Sequence, residues 1–129
     1  MDKVNFDELC LVAMNIDKEN GGKALVEATI RADGWYILFE DVKTDSPKPI
    51  VGSINNRFWI FSFTDLKKAK KFKKEQNIQG AILNMEPCTC IDWIKEYQDT
   101  GIYGIRFNEG KLGWYITINN LIKLKGLIK

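Results

Sequence analysis

The sequence predicts a single α+β domain over residues 1 to 129, with a mixed sheet of about five or six strands with hairpins, packed against three or four helices. Three observations carry this reading. A length of 129 residues suits one domain of ordinary size. A hydrophobic share of 45% is enough to fill one core without disulfide or metal staples. Strand-like runs are joined partly by tight turns and partly by helical segments, the mixture of connections that an α+β domain uses.

The elements follow in chain order. Asn5, with Glu8 three residues on, reads as a helix N-cap, and Phe6, Leu9, Ala13 and Ile16 then fall near one face. Gly21-Gly22 reads as the stop of that helix. Lys23 to Ala32 reads as a second short helix presenting Leu25, Ala28 and Ile30, ended by Asp33-Gly34. Trp35 to Phe39 is short, aromatic-rich and bounded by turn formers, which makes it a strand. Asp41 to Pro49 carries two prolines and reads as a loop.

Ile50 to Ile54 and Arg57 to Phe63 flank Asn55-Asn56, a pair that tolerates the left-handed backbone of a two-residue hairpin. Phe58 to Phe61 is apolar on both faces, so this strand is expected at the centre of the sheet. Thr64 is expected to cap the next helix, with Asp65 complementing its positive end. Ala81 to Met85 is a strand that Pro87 ends, and Thr89 with Asp92 matches a capping box for a helix carrying Ile91, Ile94 and Tyr97. Gly101 closes it. Gly104 to Phe107 and Trp114 to Ile118 form a last hairpin around Asn108-Glu109-Gly110, and Asn119 to Lys129 adds a C-terminal helix.

Composition narrows the function. The chain has no histidine, which removes Ser-His and Cys-His catalysis and most zinc sites. Three cysteines, two of them one residue apart, are the usage of a reducing cytosol. No export signal and no apolar run long enough to cross a bilayer is visible, so a cytoplasmic protein without membrane insertion is expected. The net charge of +2 conceals an asymmetry: residues 1 to 45 hold ten acids and five bases, residues 46 to 129 seven acids and fourteen bases. Two oppositely charged surfaces are expected.

Several constellations resemble sites. In Asp65 to Gln76, Leu66, Ala69 and Phe72 recur at three-residue spacing, and Lys67, Lys68, Lys70, Lys71, Lys73 and Lys74 fill the rest. Such a helix is a solvated face, a track for phosphates with Lys67, Lys70, Lys71 and Lys74 as the contacts, or a surface for a protein or an anionic membrane. Cys88-Thr89-Cys90 lies near a helix start, where a thiol's pKa falls, but it lacks both the C-x-x-C spacing and a histidine. Asp92 with Glu96, and Glu40 with Asp41, are carboxylate pairs in polar stretches, better read as solvated than as acid and base. Gly101, Gly104, Gly110 and Gly113 are too dispersed for a phosphate loop. Neither a cofactor nor a metal is expected. Fifteen aromatics exceed what a small core needs. The pairs Trp35-Tyr36 and Trp114-Tyr115 must each turn one ring away from the core, and an exposed Trp or Tyr is a strong protein-binding anchor.

The stretch Phe58-Trp59-Ile60-Phe61-Ser62-Phe63-Thr64-Asp65, then Ala69 and Phe72, a strand, Pro87, a helix, and Gly101-Ile102-Tyr103-Gly104-Ile105-Arg106-Phe107-Asn108 carries a further signal. Over residues 57 to 118 it resembles the N-terminal domain of the bacterial enhanced serine sensitivity protein B (SseB) family. That family shows an apolar strand ending in Phe-Thr-Asp or Tyr-Thr-Ser and a later glycine-led strand closing on Asn, although Glu109 stands where proline is frequent. It has no established catalytic residues to carry over. The resemblance implies a small bacterial adaptor-like domain, and similar domains occur among immunity proteins of toxin systems.

The expectation is a non-enzymatic protein-binding domain, of the kind that neutralises a cognate secreted bacterial toxin by direct contact. Glu40, Asp41 and Asp45 from the acidic third, with Trp35, Trp114 and Tyr115, are the candidate contacts, and the acidic third would face a basic toxin. The alternative is nucleic-acid binding through the lysine helix 65 to 76.

Overall fold

A computed structural model describes residues 4–40 and 48–126. Asn5 caps helix α1 (Phe6–Asn15), its side chain accepting from the Glu8 amide, as its sequence signature predicts. The helix does not reach Gly21-Gly22, however. Asp17 caps a second helix, α2 (Lys18–Ile30), with both glycines inside it. The reason is packing: a Cβ on Gly21 would lie 2.8 Å from the Ala13 Cα, so glycine here permits close approach of two helices rather than ending one. Ile16, expected on the buried face, is 79% exposed, because α1 stops before it.

Strand β1 (Trp35–Phe39) is followed by β2 (Val51–Ile54) and β3 (Arg57–Phe63), which form the expected antiparallel hairpin, while the loop expected over Asp41 to Pro49 lies, but for its last two residues, outside the described residues. Asn55 and Asn56 have φ of 55° and 64°, the mirror-image turn that matches strand twist. Helix α3 (Leu66–Glu75) follows, capped by Asp65 rather than Thr64; Thr64 is engaged instead with Asn108. After β4 (Ala81–Met85), helix α4 (Pro87–Ile94) begins with Pro87 in its first turn and Glu86 at the cap, so Thr89 lies within the helix and no capping box forms. A short 3₁₀ turn, Lys95–Tyr97, precedes β5 (Ile102–Phe107), β6 (Trp114–Thr117) and α5 (Ile118–Lys125). The described residues thus hold five α-helices, one for each helical segment read from the sequence, packed with the mixed sheet as an α+β domain.

The six strands make one mixed sheet in the order β4-β1-β3-β5-β6, with β2 also pairing with β3. Strand β3 is central and runs parallel to β5; the other pairings are antiparallel. Alternation then sorts the side chains. On one face Trp35, Ile37, Ile60, Ile105, Phe107 and Ile116 meet the apolar residues of α2, α4 and α5 in the main core. On the other, Leu38, Phe61 and Phe63 meet Ala69 and Phe72 of α3. Helix α3 therefore roofs β1 and β3 but not β5 and β6, and a stretch of sheet is left without a helix over it among the described residues. Phe58, at the start of β3, is 51% exposed, so the cover expected over Phe58 to Phe61 does not extend fully to the first of them. No helix among the described residues is long and apolar enough to cross a membrane.

Candidate functional site

The unroofed stretch carries a cluster of aromatic and guanidinium groups built by β3, β5 and β6. Trp59 is its floor, 3% exposed, with the indole N–H donating to the Ile54 carbonyl at 3.2 Å. Two tyrosine rings stand edge-on against it, Tyr103 at 5.1 Å and Tyr115 at 4.9 Å between ring centroids, and both are exposed. The Arg57 guanidinium lies 3.9 Å from the Tyr103 ring centroid. That of Arg106 lies 5.0 Å from Trp59 and 5.7 Å from Tyr115. Edge-to-face rings and stacked guanidinium groups each contribute on the order of 1 kcal/mol, so the cluster is held in a fixed arrangement.

A β-bulge places Tyr103 there. Phe58 pairs with Ile102 while Trp59 pairs with Gly104, so β5 has one extra residue opposite β3. The extra residue lets Tyr103 reach Trp59 on the same face to which Gly104, paired with Trp59, belongs. A Cβ at Gly104 would collide with the Ile116 carbonyl and come within 2.8 Å of the Thr117 Cα. Beyond the bulge the register continues, pairing Arg106 with Tyr115 across β5 and β6.

A shallow groove of about 350 Å³ adjoins the cluster, running between α3 and residues 108 to 112 with Phe63 in its lining. Arg106 joins groove to cluster: its Nε donates to Glu109 Oε1 at 3.1 Å, the pair only about one-fifth exposed, while its guanidinium rests on Trp59. On the α3 side, Lys68 pairs with Asp7 of α1 at 2.8 Å, and Lys71 and Glu75 have no ion-pair partner among the described residues.

The residues singled out from sequence distribute unevenly. Tyr115 is a true surface ring, 54% exposed, within the cluster. Trp35 cannot be a contact: it is fully buried, donates its indole N–H to the Thr29 carbonyl at 2.9 Å and packs edge-on against Phe107. Trp114 lies on the core face, half-buried and stacked between Phe6 and Phe107, so the outward member of its pair is Tyr115. Glu40 is exposed just after β1, while Asp41 and Asp45 lie outside the described residues. Lys67, Lys70, Lys71 and Lys74 are all exposed on α3; Lys71 borders the groove, and Lys70 and Lys74 border a second shallow cavity with Lys73.

Four of the seven described carboxylates of the acidic third are engaged locally. Glu19 and Glu27 pair with Lys23 and Arg31 within α2, Asp7 pairs with Lys68, and Asp17 is spent as a cap. Burial pushes the Cys90 thiol far up, which removes it as a nucleophile, while Cys88 is half-buried. Asp92 is bound by Lys125, which holds its carboxyl below the usual range, with Lys95 nearby; it is an ion-pair partner, and Glu96 is solvated beside it. No group of three or more metal-ligating side chains is assembled among the described residues.

Trp59, Tyr103, Arg57 and Arg106 are the functional candidates that pattern reading overlooks. Tyr103 depends on a bulge that no local motif announces, and Arg57 and Arg106 become partners only through the parallel pairing of β3 with β5. No protein-family model matches the chain, and no curated protein matches it.

Proposed function

We propose that this chain is a cytoplasmic, non-enzymatic protein-binding domain that uses its open sheet face, and that it acts as an immunity protein neutralising a cognate bacterial toxin by direct contact. The observation that carries the binding reading is the Tyr103–Trp59–Tyr115 cluster with Arg57 and Arg106 on sheet that α3 leaves bare. Tyr, Trp and Arg are the residues that dominate binding energy at protein interfaces. Their fixed rings lose little freedom on association. The immunity role is supported by the motif resemblance over residues 57 to 118 to SseB-like domains.

Nucleic-acid binding through α3 is the second reading, favoured by exposed Lys67, Lys70, Lys71 and Lys74. The sheet face adds no support to it, since Arg57 occupies one face of Tyr103, whereas single-stranded recognition by a sheet needs ring faces free for bases. The test is calorimetric titration of the purified chain with the product of the gene next to its own. Saturable binding that falls about tenfold or more in Tyr103→Ala or Tyr115→Ala is expected. Absence of binding, with no protection of cells expressing that product, refutes the proposal.

A further inference from the structure

The sequence asymmetry suggests an acidic surface facing a basic partner, but the folded charges point the other way. Within the described part of residues 1 to 40, Asp7, Glu19 and Glu27 are taken up by ion pairs and Asp17 by a cap, leaving Glu8, Asp33 and Glu40 dispersed. At the aromatic cluster and its groove the balance is reversed. Asp7 and Glu109 are matched by Lys68 and Arg106. Among the described residues, Arg57, Lys71 and Lys111 have no ion-pair partner, against Glu75 alone.

From this, we infer that the open face and groove bind an acidic segment of a partner protein, whose carboxylates meet Arg57, Lys71 and Lys111 while an apolar side chain packs between Tyr103 and Tyr115. The inference rests on the protein-binding reading and adds the chemistry of the partner. A guanidinium stacked on a tyrosine keeps its in-plane N–H groups free and presents them as a fork suited to a carboxylate. The aromatic floor supplies the low-dielectric surroundings in which such a pair gains strength. Charge complementarity of this kind also sets partner choice and encounter rate.

The test uses the intact chain and three dye-labelled probes read by fluorescence polarisation at near-physiological salt. Two are short synthetic peptides with one aromatic residue each, identical except that one carries Glu and Asp where the other carries Lys and Arg; the third is a single-stranded oligothymidylate. The acidic peptide should bind saturably. Its affinity should fall about tenfold in Arg57→Gln and in Tyr103→Ala, the loss expected for one hot-spot contact. The triple change of Lys67, Lys70 and Lys74 to Gln should alter it less than about twofold, since those lysines lie outside the groove. Tyr103→Phe keeps the ring and should retain most of the affinity, which separates loss of contact from loss of fold. Preference for the basic peptide, binding of the oligothymidylate alone, equal sensitivity to the triple lysine change, or no binding of any probe each overturns the inference. The protein-binding reading is decided separately by the titration with the neighbouring gene product, which succeeds or fails whatever the charge of these probes.

Discussion

Asn108 and Thr64 hold each other through two hydrogen bonds of 3.0 Å: the Thr64 backbone N–H donates to the Asn108 side-chain carbonyl, and the Asn108 amide donates to the Thr64 hydroxyl. The pair ties the end of β5 to the turn between β3 and α3, and a backbone bond from the Asn108 N–H to the Ser62 carbonyl completes the joint. Asn108 is also left-handed, with φ of 51°, and only 7% exposed. Asn108→Ala should therefore cost about 2–4 kcal/mol, the sum of unmatched buried groups and a strained backbone. Asn108→Gly should cost less, because glycine removes the strain alone. Urea denaturation of both variants checks this; equal costs would show that the backbone conformation contributes nothing.

Adjacent glycines in α2 should respond with opposite signs. Gly22 has no heavy atom within 4 Å of where its Cβ would be, so Gly22→Ala should stabilise the protein by about 0.5–1 kcal/mol through helix propensity. Gly21 faces the Ala13 backbone at 2.8 Å, so Gly21→Ala should destabilise it by about 1–3 kcal/mol by forcing α1 and α2 apart. Thermal unfolding of the two single variants decides the matter, and a stabilising Gly21→Ala would contradict the close helix contact.

The three thiols should separate by reactivity. Cys90 is fully buried and its thiol is held strongly protonated by burial. Cys10 is 2% exposed, with its thiol raised by burial and by the Asp7 carboxylate. Cys88 is half-buried in the first turn of α4. Iodoacetamide under native conditions should label Cys88 first, with Cys90 labelled at the rate of unfolding. Mass spectrometry of time points reads the order, and early labelling of Cys90 would be inconsistent with the packing of α4.

Acid should weaken the joint between α4 and α5. Asp92 is held below the usual carboxylate range by its hydrogen bond from Lys125, so its folded form binds a proton less readily than its unfolded form. The stabilisation is complete above the ordinary aspartate pKa of about 4 and is lost as pH falls below it. Asp17, lowered by the Asn20 backbone N–H, acts in the same direction. Melting temperature against pH should fall less steeply below about pH 4 in Asp92→Asn than in the unaltered chain. Identical slopes would mean that the Asp92–Lys125 pair does not survive in solution.

What can be read from sequence here is what is local. The Asn5 cap, the Asn55-Asn56 turn, the β1 to β4 strands and the mixture of hairpins with helical connections are each written in a few neighbouring residues, and the fold class follows from them. The misreadings share one cause. Gly21-Gly22 looks like a helix stop because nothing nearby reveals that Ala13 will lie against it, and Thr64 looks like a cap because Asn108 is 44 residues away. Trp35 and Trp59 are alike as residues, and only the sheet order makes one a core residue and the other the floor of an open face. The charge asymmetry is likewise genuine in sequence, and only the fold shows that Asp7 of the acidic third is paired with Lys68 of the basic remainder.

The bulge at Tyr103 separates what holds this protein together from what it presents. Ile105 and Phe107 keep their places in the core row beyond it, while one surplus residue sets the aromatic of the outer face. A single-residue insertion is thus confined to one side of the sheet. Positions 57, 103, 106 and 115 can therefore change on the outer face while the core row behind them keeps its packing, so that surface and interior are free to vary independently.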